Sequence, residues 1–126
     1  MNVADWLEAT ARATPQAPAL FEGTRLHATY AGFEARARAL AAGMQARHGL
    51  KAGDRVAVFM KNCPAYLELL YAVWWFGGVA VPVNNKLHPR EVAWIVEDAG
   101  ASLLVSDDGG TAAAAGGLPA ACAEIA

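Results

Sequence analysis

The 126 residues carry 10 Lys and Arg against 12 Asp and Glu, giving a net charge of -2 and a pI near 5.9. That length suits one domain with a real core but is small for a complete α/β enzyme, and the charge makes no electrostatic case for nucleic acid or an anionic membrane. Cys63 and Cys122 form neither a CxxC pair nor a disulfide framework, which points to a reducing cytoplasm and to two small buried side chains.

The first residues include Asp5 and Glu8 and lack the basic start and apolar run of a secretory signal. Asn2 followed by Asp5 predicts an N-cap with a first-turn acid, opening a helix whose buried side would carry Val3, Trp6, Leu7 and Ala11. Pro15 and Pro18 end it. Ala19 to Glu22 and Leu26 to Thr29 flank the turn signal Gly23-Thr24 and predict a hairpin. Thr29 is placed to cap a second helix, on which Phe33, Ala37, Leu40, Ala41 and Met44 recur at helical spacing and Gly49 supplies the C-cap.

After the polar turn Lys51-Ala52-Gly53-Asp54, three apolar runs, Arg55 to Met60, Val79 to Val83 and Ser102 to Ser106, start about 23 residues apart and alternate with two helices. The first helix opens at Pro64, where a missing N–H is harmless, and runs to Phe76. Its apolar residues point in nearly every direction, so it should be covered on most sides; Glu68 is its one charge. The second opens at Pro89, presents Val92, Ile95, Val96 and Ala99 on one face, and ends at Gly100. The fold class is therefore α/β, a three-layer-type parallel βαβαβ unit preceded by a helix and a β-hairpin. Residues 107–126 are Ala- and Gly-rich and read as a weak helix or loose tail with no closing strand.

The uncharged stretch Leu69 to Asn85 falls short of the roughly 20 apolar residues of a spanning helix and is broken by Gly77, Gly78 and Pro82, so no membrane span is expected. His27, His48 and His88 have no carboxylate or cysteine at ligand spacing, which leaves no metal site in the pattern. Asp108-Gly109-Gly110-Thr111 lacks the basic residue and the strand-to-helix frame of a phosphate cradle and reads as a turn.

The runs ATYAGFEARARALAAGM, GDRVAVFMKNCPAYLELLYAVWWFGGVAVPVNNKL and REVAWIVEDAGASLLVSD resemble the N-terminal part of adenylate-forming enzymes, in particular the acyl-CoA synthetases. The resemblance rests on the ordered set Pro18-Ala19-Leu20, Thr29-Tyr30, Gly53-Asp54-Arg55-Val56, Asn62, Gly77 to Pro82 and Glu91. It implies a partial N-terminal subdomain, residues 1–126, of an enzyme that activates a fatty or aryl carboxylic acid with ATP and Mg and passes the acyl group to coenzyme A. In that family the Ser/Thr/Gly-rich loop ending in Lys-Gly, the ribose-binding Asp and the adenylation Lys lie beyond the matched region. This chain alone is accordingly expected to hold no cofactor and to be inactive, because adenylation needs donors, Mg and a cation around a triphosphate.

Asn85-Lys86-Leu87 matches a place where relatives often carry Asn-Pro-Arg-Leu, whose basic residue can lie near the CoA phosphates. The resemblance thus implies Lys86, with Arg90 a helical turn on, as CoA phosphate contacts; two solvated charges at a helix start are the plain alternative. Gly32 stands where relatives commonly have Glu, so the capping box begun by Thr29 is incomplete. Self-association through uncovered faces or sheet edges is also expected. The alternative to an enzyme piece is a stand-alone binding or dimerisation module that kept the fold without the catalysis.

Overall fold

The computed structural model describes residues 2–107 and 123–125. Its elements are α1 (Ala4–Ala13), β1 (Pro18–Glu22), β2 (Arg25–Thr29), α2 (Tyr30–His48), β3 (Arg55–Phe59), α3 (Pro64–Trp75), β4 (Val79–Pro82), α4 (Pro89–Ala99), β5 (Leu103–Ser106) and β6 (Ala123–Ile125). They fall into two compact units, Met1–Ala52 with Asn62–Gly77, and Gly53–Lys61 with Gly78–Ala126.

In the first unit, α1 starts on a reciprocal cap. Asn2 Oδ1 accepts from the Ala4 N–H at 3.0 Å, and Asp5 Oδ2 accepts from the Asn2 N–H at 3.1 Å. Ala4, Leu7 and Ala11 make the buried stripe. Val3 and Trp6, expected on it, are exposed, because each precedes a stripe residue by one position and so points roughly 100° away.

The hairpin pairs Pro18 with Thr29 through Glu22 with Arg25, and Gly23 turns it at φ +62. Leu20 enters a cluster with Leu7, Phe33 and Ala37, while its neighbour Phe21 pairs with Leu26 on the outer face. Thr29 Oγ1 accepts from the Gly32 N–H at 3.2 Å and starts α2 as predicted; Gly49, at φ +64, ends it. Phe33, Ala37, Ala41 and Met44 are buried, whereas Leu40 on the same stripe is exposed. Tyr71 of α3 meets Phe33 edge-on, with ring centroids 5.2 Å apart at 79°.

Along α3 the expected cover is incomplete. Leu67 is 43 % exposed, whereas its neighbour Glu68 is 1 % exposed. The one charge of an apolar helix is thus among its most buried residues.

The second unit is a parallel sheet in the order β4-β3-β5-β6. Ala57, Phe59 and Leu104 on one face pack with Val92 and Val96 of α4. Val56, Val58, Leu103 and Val105, on the other, are buried as well, the two-sided burial that continuous apolar strands serve. Ladder bonds run from β4 to β3 through the Val79 and Val83 N–H groups. By alternation Pro82 falls where an N–H would point away from β3, so it costs no ladder bond and blunts that edge. The expectation of a tail without a closing strand is corrected, since Ala123–Ile125 pairs in parallel with β5. A ready-made edge on β5 outweighs the weak strand preference of an Ala-rich segment.

Candidate functional site

In open parallel sheets, ligands bind outside the carboxyl ends of the strands, where the strand order reverses. Here that place lies between β3, whose chain continues to β4, and β5 on its other side. Asp107 Oδ2 accepts from the Lys61 N–H there at 3.0 Å. A side-chain carboxylate thus occupies this backbone donor at the carboxyl end of the sheet. Asp108-Gly109-Gly110-Thr111 lies outside the described residues.

Beyond the end of β4, Asn84 Oδ1 accepts from the Lys86 N–H at 2.9 Å, an Asx turn that fixes the loop ahead of α4. The Lys86 and Arg90 side chains are exposed. His88 then caps α4. Its Nδ1 accepts from the Arg90 N–H at 3.1 Å, and Glu91 Oε1 accepts from the His88 N–H at 3.2 Å. The sequence signal for this cap was Glu91 three residues after the cap position, with His in the place usually held by Ser or Thr.

Leu87, Arg90, Glu91, Trp94 and Ile95 line an open cavity of about 410 Å³. Trp94 is 65 % exposed at its wall. Arg90 belongs to this cavity and Lys86 does not, so the two candidate cations are neighbours in sequence without sharing one pocket.

In the first unit, β1 and the start of α3 enclose a larger cavity of about 620 Å³, lined by Phe21, Glu22, Asn62, Cys63, Tyr66 and Leu67 among others. Burial pushes the Tyr66 phenol above its ordinary value. Cys63, expected to be buried, is half-buried at the N-cap position of α3 and free. Among the described residues no group of three or more His, Cys, Asp or Glu could hold a metal ion, and no helix is long and apolar enough to cross a membrane.

Comparison with known proteins decides the family. The model of the AMP-binding enzyme family matches residues 7–124. The chain belongs to that family. A feruloyl-CoA synthase from Amycolatopsis is 41 % identical over 105 residues, 82 % of this chain and 21 % of the relative. A 2-succinylbenzoate–CoA ligase from Geobacillus is 33 % identical over 113 residues, 85 % of this chain and 21 % of the relative. Among solved structures, a Mycobacterium tuberculosis fatty acyl CoA synthetase aligns with a TM-score of 0.82 at 29 % identity, over 98 % of this chain and 26 % of the other. The chain therefore matches the N-terminal part of the adenylate-forming fold and spans about a fifth of the length of these curated relatives.

Proposed function

We propose that this AMP-binding family chain is the N-terminal scaffold of a ligase that activates a fatty or aryl carboxylic acid with ATP and Mg and transfers it to coenzyme A, and that it performs no adenylation by itself. The observation that carries the reading is the match across residues 7–124 together with relatives that are acid–CoA ligases. Adenylation needs Mg and cationic donors around the triphosphate, and in this proposal those groups act together with the scaffold built here. A cytoplasmic setting and the metabolism of fatty or aryl acids follow from the same reading.

Lys86 and Arg90 serve, in this proposal, as phosphate contacts for CoA. Both are exposed, and neither makes an ion pair among the described residues. The nearby carboxylate of Glu91 is engaged at the His88 N–H, which leaves the cations free to meet an anion. In a synthetase containing this chain, Lys86→Ala and Arg90→Ala should each raise KM for CoA by about 3–10-fold, as expected for exposed charge-assisted contacts, and leave KM for ATP unchanged. An equal rise for both substrates, or none, would remove the assignment.

The chain is also proposed to associate with itself through apolar surface such as Phe21, Leu26 and Leu67 rather than through the β4 edge, which Pro82 blunts. Two measurements on the chain test the scaffold reading: trapping of an acyl-hydroxamate with ATP, Mg and a panel of acids, and calorimetry with ATP. A micromolar ATP site or measurable hydroxamate would establish an autonomous nucleotide enzyme instead.

A further inference from the structure

Burying an ion among apolar side chains is costly unless other charges and hydrogen bonds surround it. Glu68 of α3 is 1 % exposed, and neither of its oxygens accepts a hydrogen bond. Two basic side chains reach it, each from a different element. Arg36 Nε of α2 lies 3.0 Å from Glu68 Oε2, and His27 Nε2 of β2 lies 3.4 Å from the same oxygen. At 3.0 Å an aligned N–H would hydrogen-bond; the Arg36 N–H is not so aligned, and the contact is held by charge.

The arrangement is asymmetric. The carboxylate is inside, while the Arg36 side chain is 62 % exposed and that of His27 is 32 % exposed. Solvent and salt can therefore reach both partners, and the departure of Arg36 would leave the buried carboxylate with only His27 beside it. His27 stands in the strand that carries the hairpin, so the elements that meet at Glu68 are also those that share the cluster around Leu20, Phe33 and Tyr71.

We propose that Glu68, Arg36 and His27 form a polar latch that holds the β1–β2 hairpin onto α2 and α3, and that weakening the contacts to Glu68, that of Arg36 above all, releases the hairpin locally while the parallel sheet stays folded. Such a device needs neither pair to be strongly stabilising. It needs only that the buried charge be intolerable without them, which is the regime in which removing one partner costs far more than the pair is worth.

Amide hydrogen exchange on the chain tests this at fixed pH. In Arg36→Ala the β1–β2 amides should exchange at least about tenfold faster while β3 and β5 amides keep their rates. Adding Glu68→Leu should return the hairpin to within about threefold of the parent, because the charge that required the latch is gone. A wild-type arm guards against a variant that fails to fold. Raising sodium chloride from about 0.05 to about 1 M should accelerate hairpin amides selectively in the parent and not in Glu68→Leu. Uniform acceleration across both sheets, no acceleration in Arg36→Ala, no rescue by Glu68→Leu, or an equal salt response in the two proteins would each overturn the latch.

Discussion

Replacing Gly100 by alanine should cost more than a glycine at a helix end normally does, and the excess should trace to one arginine. Gly100 closes α4 in the left-handed region at φ +65 and ψ 38, with its N–H donating to the Glu97 and Val96 carbonyls. An L-residue there bears about 1–2 kcal/mol of conformational strain. The new Cβ would also stand 2.6 Å from Arg55 Nη2, a separation real contacts do not show. The guanidinium can move, but it is engaged: its Nε donates to the Ala99 carbonyl at 3.0 Å and its Nη1 to the Gly53 carbonyl at 3.2 Å.

Shifting a half-exposed charged donor off these carbonyls costs about another 1 kcal/mol, so Gly100→Ala should destabilise by about 2–3 kcal/mol. Gly49→Ala provides the control. It has nearly the same φ, +64, and nothing lies within 4 Å of its Cβ, so only the strain remains. Urea and thermal unfolding followed by far-ultraviolet circular dichroism would resolve the difference, at about 3–6 °C per kcal/mol for a chain of this length. In an Arg55→Ala background the Gly100 cost should fall to that of Gly49. If Gly100→Ala costs no more than Gly49→Ala, or if its excess survives without Arg55, the reasoning is wrong.

Two further outcomes concern stability. Thr29→Ala removes the oxygen that accepts from Gly32 and should destabilise α2 by about 1 kcal/mol, whereas Gly32→Ala, whose Cβ would meet only ordinary contacts at 3.6 and 3.7 Å, should stabilise it by about 0.5–1 kcal/mol in the same urea assay. Tyr66 titrates above the ordinary 10.0 because burial disfavours its phenolate. Between that value and its folded value the native chain keeps a proton the unfolded chain has lost, so stability falls as pH rises through the window and is unaffected below it. Tyr66→Phe should remove this part of the alkaline slope; an unchanged slope would show that Tyr66 does not contribute.

Much of the local architecture is written in short-range chemistry. Thr29 at the start of α2, Pro64 in the first turn of α3, and Gly23, Gly49 and Gly100 at positive φ all act through the backbone within a few residues, and each sits where the sequence predicts. The His88 cap carries only half of a sequence signal, Glu91, because histidine is an unusual acceptor at that position. Lys86 and Arg90 were legible as residues of a family pattern, but the sequence could not say that Arg90 alone lines the cavity with Trp94.

Exposure was harder to read than helicity. Leu40 and Leu67 have the periodicity of buried residues and stand in solvent, since spacing specifies a helix face but not how far a neighbour extends over it. β6 depends on the edge that β5 offers, and that edge is not encoded in the Ala-rich segment that fills it.

The sequence by itself determined the elements from α1 to β5, the caps at Thr29, Gly49 and Gly100, the parallel character of the later strands and the family, because these follow from periodicity, backbone chemistry and residues close in the chain. Only the tertiary structure decided the sheet order, the uncovered leucines and the place of Glu68. A carboxylate on an apolar helix reads as a solvent-facing residue until β2 and α2 bring His27 and Arg36 within 3.4 and 3.0 Å of it. The partners at its buried carboxylate come from residues distant in sequence, and no local pattern records that.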